Sequence, residues 1–73
     1  MKQYTIEYRM IRSELPRTIV VKAETKYDAW RKASYEDIPN KEGSAPYSAW
    51  VVGVTFQNGN YRSFYDTLEG KPY

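Results

Sequence analysis

Residues 4–10 alternate strictly. Tyr4, Ile6, Tyr8 and Met10 fall on one side, and Thr5, Glu7 and Arg9 on the other. A period of two in β-forming residues predicts a half-buried strand. Ser13-Glu14-Leu15-Pro16 interrupts the pattern, because proline has no N–H to give to a ladder. Alternation resumes from Arg17 to Ala23, with Ile19, Val21 and Ala23 facing one way and Thr18, Val20 and Lys22 the other. So short a connection predicts an antiparallel hairpin.

The period then lengthens. Thr25 suits a helix N-cap, and Asp28 three residues on resembles a capping box with a shortened acid. A helix is predicted from Lys26 to about Glu36, with Pro39 limiting its extension. Its buried stripe is expected to be Ala29, Trp30 and Ala33, with Tyr27 or Ile38 at the margins. Residues 39–46 are polar, hold one Gly and two Pro, and read as a loop.

Ala49 to Gln57 is the strongest strand signal. Simple alternation places Trp50, Val52, Val54 and Phe56 on one face and Ala49, Val51, Gly53 and Thr55 on the other. A strand apolar or small on both faces belongs at the centre of a sheet or at an interface. Asn58-Gly59 then predicts a hairpin turn, and residues 60–65 the returning strand. A two-residue loop pairs Phe56 with Tyr61, Val54 with Ser63 and Gly53 with Phe64, so that Phe64 covers the glycine. A three-residue bulged loop would shift this register. Residues 66–73, with Gly70 and Pro72, read as an irregular tail. The order β-β-α-β-β predicts one α+β domain over residues 1–73, a four-stranded, mainly antiparallel sheet with one helix packed on one face.

Composition changes this picture in one respect. Leu, Ile, Val and Phe number only 13 of the 73 residues, a fraction that would warn of disorder beside a large net charge. Here 11 basic and 9 acidic residues leave +2, and 8 Tyr and 2 Trp supply the missing apolar area. The core is expected to be built on rings. The same inventory contains no His and no Cys, which excludes disulfides, thiolate zinc sites, thiol nucleophiles and histidine-based triads. The opening residues lack an apolar leader and no apolar run reaches membrane-spanning length, so the cytoplasm is the default expectation.

Three groups of residues carry candidate chemistry. The rings exceed what one helix can cover, so Tyr4, Tyr8, Trp50, Tyr61 and Tyr65 are candidates for an exposed, partner-binding sheet face, against the plainer reading that Tyr and Trp simply favour strands. Arg9, Arg17, Lys22 and Arg62 are candidates for phosphate contacts around the same rings, although acidic residues are interleaved with the basic ones as on an ordinary solvated surface. The carboxylate clusters Glu36-Asp37 with Glu42, and Asp66 with Glu69, are the remaining acid–base candidates, and no apolar pocket is legible beside either. No glycine pattern matches a phosphate loop.

The stretch Ala49-Trp50-Val51-Val52-Gly53-Val54-Thr55-Phe56, then Asn58-Gly59, Phe64 and Glu69-Gly70-Lys71-Pro72-Tyr73, resembles short uncharacterised proteins of bacteriophages and mobile elements. Val21-Lys22-Ala23-Glu24-Thr25, leading into Asp28-Ala29-Trp30, is similar to their strand-to-helix junction. The resemblance implies a small intracellular accessory protein that binds a host factor or a nucleic-acid-handling machine, and it supplies no active residues. The expectation is a non-enzymatic binding module without cofactor, metal or membrane, acting on a protein partner or a second copy of itself, with nucleic acid as the alternative.

Overall fold

The structure, a computed structural model, describes residues 1–13 and 15–64. Four strands form one antiparallel sheet: β1 Lys2–Arg9, β2 Arg17–Ala23, β3 Ser48–Thr55 and β4 Tyr61–Ser63, in the spatial order β2-β1-β3-β4. One helix, residues 26–42, crosses one face. The α+β architecture is thus as expected.

The strand parity of the first hairpin also matches. Tyr4 pairs with Val21, Ile6 with Ile19 and Tyr8 with Arg17 in an unbroken register. Tyr4, Ile6, Tyr8, Val21 and Ala23 lie buried beneath the helix, while Thr18, Val20 and Lys22 are exposed on the opposite face.

β3 departs from simple alternation. Thr5 pairs with Gly53 and Ile6 with Val51, so Val52 is an inserted residue with no partner on β1. A one-residue bulge exchanges the two faces of everything on one side of it. Ala49 and Val51 therefore join Val54 under the helix, whereas Trp50, opposite Glu7, goes to the uncovered face with Gly53 and Thr55. The expected grouping of Trp50 with Val54 is corrected accordingly.

The helix is longer than expected. Thr25 caps it by accepting the Asp28 N–H on Oγ1 at 3.1 Å. It runs as α-helix over Lys26–Lys32, widens to a π turn over Ala33–Asp37, and continues as α-helix over Ile38–Glu42. Pro39 does not end it. The Ile38 N–H bonds five residues back to the Ala33 carbonyl, and Pro39 stands in the first turn of the following α segment, where a missing N–H costs little. Gly43, at φ 85°, closes the helix with its N–H on the Pro39 carbonyl at 2.8 Å. This extension brings Ile38 into the core, fully buried beside Ala29 and Ala33.

The second hairpin takes the three-residue loop. Thr55 pairs with Tyr61, Val54 with Arg62 and Gly53 with Ser63. The Phe56 N–H donates to the Asn60 carbonyl at 2.8 Å, and Gly59 adopts φ 91°, the left-handed position such a loop requires. Tyr61, and not Phe64, covers Gly53: a Cβ built there would collide with the Tyr61 hydroxyl and ring. Phe64 packs on the helix side against the core, with the Lys26 ammonium 4.9 Å from its ring centre. Tyr65 and the tail 66–73 lie outside the described residues.

Candidate functional site

The structure divides the five candidate rings. Tyr4 and Tyr8 belong to the core at 4% and 0% exposure, so neither ring reaches a partner, and this corrects their assignment to an exposed face. The cause is parity: their side of β1 is the side the helix covers. Trp50, half-buried, and Tyr61, 53% exposed, stand on the uncovered face. Val20, 58% exposed, adds an aliphatic patch on the same face at the far strand. Among the described residues no element packs on this face. Tyr65 lies outside them.

Glycine shapes this surface. With no Cβ at Gly53, the tip of the Tyr61 phenol fills the space a side chain would take there, a cross-strand contact that covers the gap in the sheet. Trp50 stands three positions away on the same strand, on the other side of the bulge, opposite Glu7.

The basic candidates do not converge. Arg9 and Lys22 share the open face but sit toward opposite ends of it, beside Ser48 and Gln3 respectively. Arg62 lies on the helix side, its guanidinium 5.9 Å from the Phe64 ring centre. Arg17 is also on the helix side and engages Glu42, with Nη1 2.5 Å from Oε1. The carboxylates disperse as well. Asp37 meets Lys32 at 3.4 Å, Glu36 is exposed, and Glu42 turns inward. Asp66 and Glu69 fall outside the described residues. Among the described residues no three acidic side chains gather where they could hold a metal.

Glu42 is the centre of the best-developed polar cluster. The buried Tyr8 hydroxyl donates to its Oε2 at 2.6 Å while Arg17 holds Oε1, so both oxygens are engaged. These bonds hold the Glu42 carboxyl below its usual range, the Tyr8 bond contributing most and the Arg17 bond next. Burial, and then the hydrogen bond to an acceptor already charged, push the Tyr8 hydroxyl up to about 12. Glu42 likewise raises the Arg17 guanidinium further above its ordinary value. Each shift favours the protonation state already present at neutral pH. The cluster is a clasp joining the helix end to β1 and β2.

A second group of rings lies on the helix, where the sequence reading placed Trp30 and Tyr27 and missed Tyr35. Trp30 packs between Tyr27 and Tyr35, each ring centre 6.1 Å from its own, and its indole Nε1–H donates to the Ala49 carbonyl at 2.7 Å. Regular helical spacing puts residue 34 beside residue 30. The π turn advances the neighbour by one, which brings Tyr35 to Trp30 and turns Ser34 inward. The only signal in the sequence was Pro39, the residue that the π turn accommodates.

No protein-family model, no curated protein and no solved structure matches the chain. No helix among the described residues is long and apolar enough to cross a membrane.

Proposed function

We propose that this chain is a small, non-enzymatic binding module that engages a protein partner through the uncovered face of its sheet. The observation that carries the reading is that half-buried Trp50 and exposed Tyr61 share the face opposite the helix, the second ring lying over Gly53. Exposed Trp and Tyr rings are the residue types that dominate protein interfaces. The non-enzymatic part rests on the absence of His and Cys from the sequence and on Glu42, both of whose oxygens are committed to the clasp. The dispersal of Arg9, Arg17, Lys22 and Arg62 favours protein over nucleic acid as the partner.

Site-specific photo-crosslinking in cell extract tests this. A crosslinker at exposed Gln3, which pairs with Thr55 at the Tyr61 end of the face, is expected to trap a protein adduct that disappears in the Trp50→Ala, Tyr61→Ala double variant. The same probe at Tyr35, on the helix, is the comparison. Adducts from Tyr35 alone, or Gln3 adducts indifferent to the ring substitutions, would place the contact elsewhere. Salt-sensitive binding of single- or double-stranded DNA or RNA probes at low ionic strength would overturn the choice of partner.

A further inference from the structure

The two edges of the sheet are unlike. β4 spans three residues and carries Arg62 at its middle, the kind of short, charged edge that resists pairing. β2 is seven residues long, has no bulge against β1 and no proline within it, and holds one interior charge, Lys22. It is apolar on both sides, with half-buried Ile19 toward the helix and exposed Val20 on the open face.

The hydrogen-bond pattern fixes which backbone groups that edge presents. Phe64 donates to the Val52 carbonyl and Phe56 to the Asn60 carbonyl, so Val52 and Val54 bond toward β4 and Gly53 and Thr55 toward β1. Their partners Thr5 and Gln3 therefore face β3, which leaves Tyr4 and Ile6 bonded to Val21 and Ile19 of β2. Thr18, Val20 and Lys22 consequently turn both N–H and C=O outward, away from the sheet.

We infer that β2 pairs with β2 of a second copy, antiparallel, about a two-fold axis at Val20. In that register Val20 meets Val20 of the second copy and Thr18 meets Lys22, so every outward N–H and C=O of the three residues finds a partner. Ile19 meets Val21 and Arg17 meets Ala23, so no charge opposes a like charge. Shifting the axis to Ile19 would put Lys22 opposite Pro16, which has no N–H. A two-fold axis perpendicular to the sheet makes eight continuous strands, with both helices on one side and both Trp50–Tyr61 faces on the other. This goes beyond the proposed function, since it stands on the β2 backbone and not on the rings.

Sedimentation velocity over a concentration series tests the pairing. The wild type is expected to move from the 8.6 kDa monomer toward twice that mass as concentration rises. Val20→Pro removes an N–H that bonds to nothing within the sheet, so the fold should persist by circular dichroism while the dimer weakens roughly thirty-fold, about two hydrogen bonds across the axis. Thr18→Lys checks the register independently: it places Lys beside Glu7 within the monomer but against Lys22 of the second copy, and should weaken the dimer without weakening the fold. A monomer mass up to about 1 mM overturns the inference. So does a dimer that both variants leave intact. Trp50→Ala, Tyr61→Ala should leave the dimer mass unchanged, which separates this result from that of the proposed function.

Discussion

Replacing Tyr8 with Phe removes one oxygen from a fully buried ring and leaves the ring in place. The lost interaction is a hydrogen bond of 2.6 Å to an ionised carboxylate, of a class worth about 1.5–3 kcal/mol net. The lower end applies, because Arg17 stays on the other oxygen and still neutralises the carboxylate. A cost of about 1.5 kcal/mol should lower Tm by roughly 6–12 °C in a domain of this size. Thermal and urea melts of the two proteins at pH 7 read this directly.

The pH dependence gives the sharper test. Glu42 has a depressed pKa in the folded state, so its contribution is present above the ordinary carboxyl value of 4.5 and is lost as pH falls through the lower folded value. Tyr8 is the opposite case. Its folded pKa of about 12 lies above the ordinary 10.0, so its contribution is complete below pH 10.0 and declines as pH rises toward 12. The stability gap between wild type and Tyr8→Phe should therefore be widest between pH 5 and pH 9 and should narrow at both ends. A gap of the same size at pH 7 and pH 11 would refute the clasp and assign the loss to packing alone.

Ile38→Ala should cost about 3 kcal/mol, since Ile38 is fully buried and such truncations cost 2–5 kcal/mol; a chemical-denaturation loss under 1 kcal/mol would mean that the helix ends before it. Thr25→Ala should cost about 1 kcal/mol by removing the acceptor of the Asp28 N–H, with helical circular dichroism frayed before the main transition. Gly53→Ala should displace the exposed Tyr61 ring at a cost within about 1 kcal/mol, because the ring can swing aside and alanine restricts the unfolded chain; unchanged ring-current shifts in NMR spectra of the sheet would contradict that placement.

What the sequence disclosed depended on whether structure obeyed a fixed period. β1 and β2 pair without a bulge, so their alternation correctly sorted Tyr4, Ile6, Tyr8 and Val21 from Thr18, Val20 and Lys22. The rings obscured which side the helix takes, because the hydroxyls of Tyr4 and Tyr8 suit exposure as well as burial, and β3 and β4 put further rings on the other face. Tyr8 shows the limit: the hydroxyl of a fully buried phenol usually needs a polar partner, and this one stands 34 residues away at the end of a helix that continues past Pro39. In β3 the run Val51-Val52-Gly53 is apolar or small throughout, so nothing in it marks the inserted residue.

That insertion decides the character of both faces. Ala29 and Ala33, each fully buried, bring the helix backbone close to the sheet, and the positions under it on β3 are filled by Ala49, Val51 and Val54. Unbroken alternation anchored on Val54 would send Trp50 into that narrow layer, where an indole is far larger than the space two alanines leave. With Val52 inserted, the small Ala49 goes inward and Trp50 outward, beyond the Gly53 over which Tyr61 lies. A tight core and a ring-bearing open face thus have one origin, a single extra residue in the central strand, and removing it could not abolish one without disturbing the other.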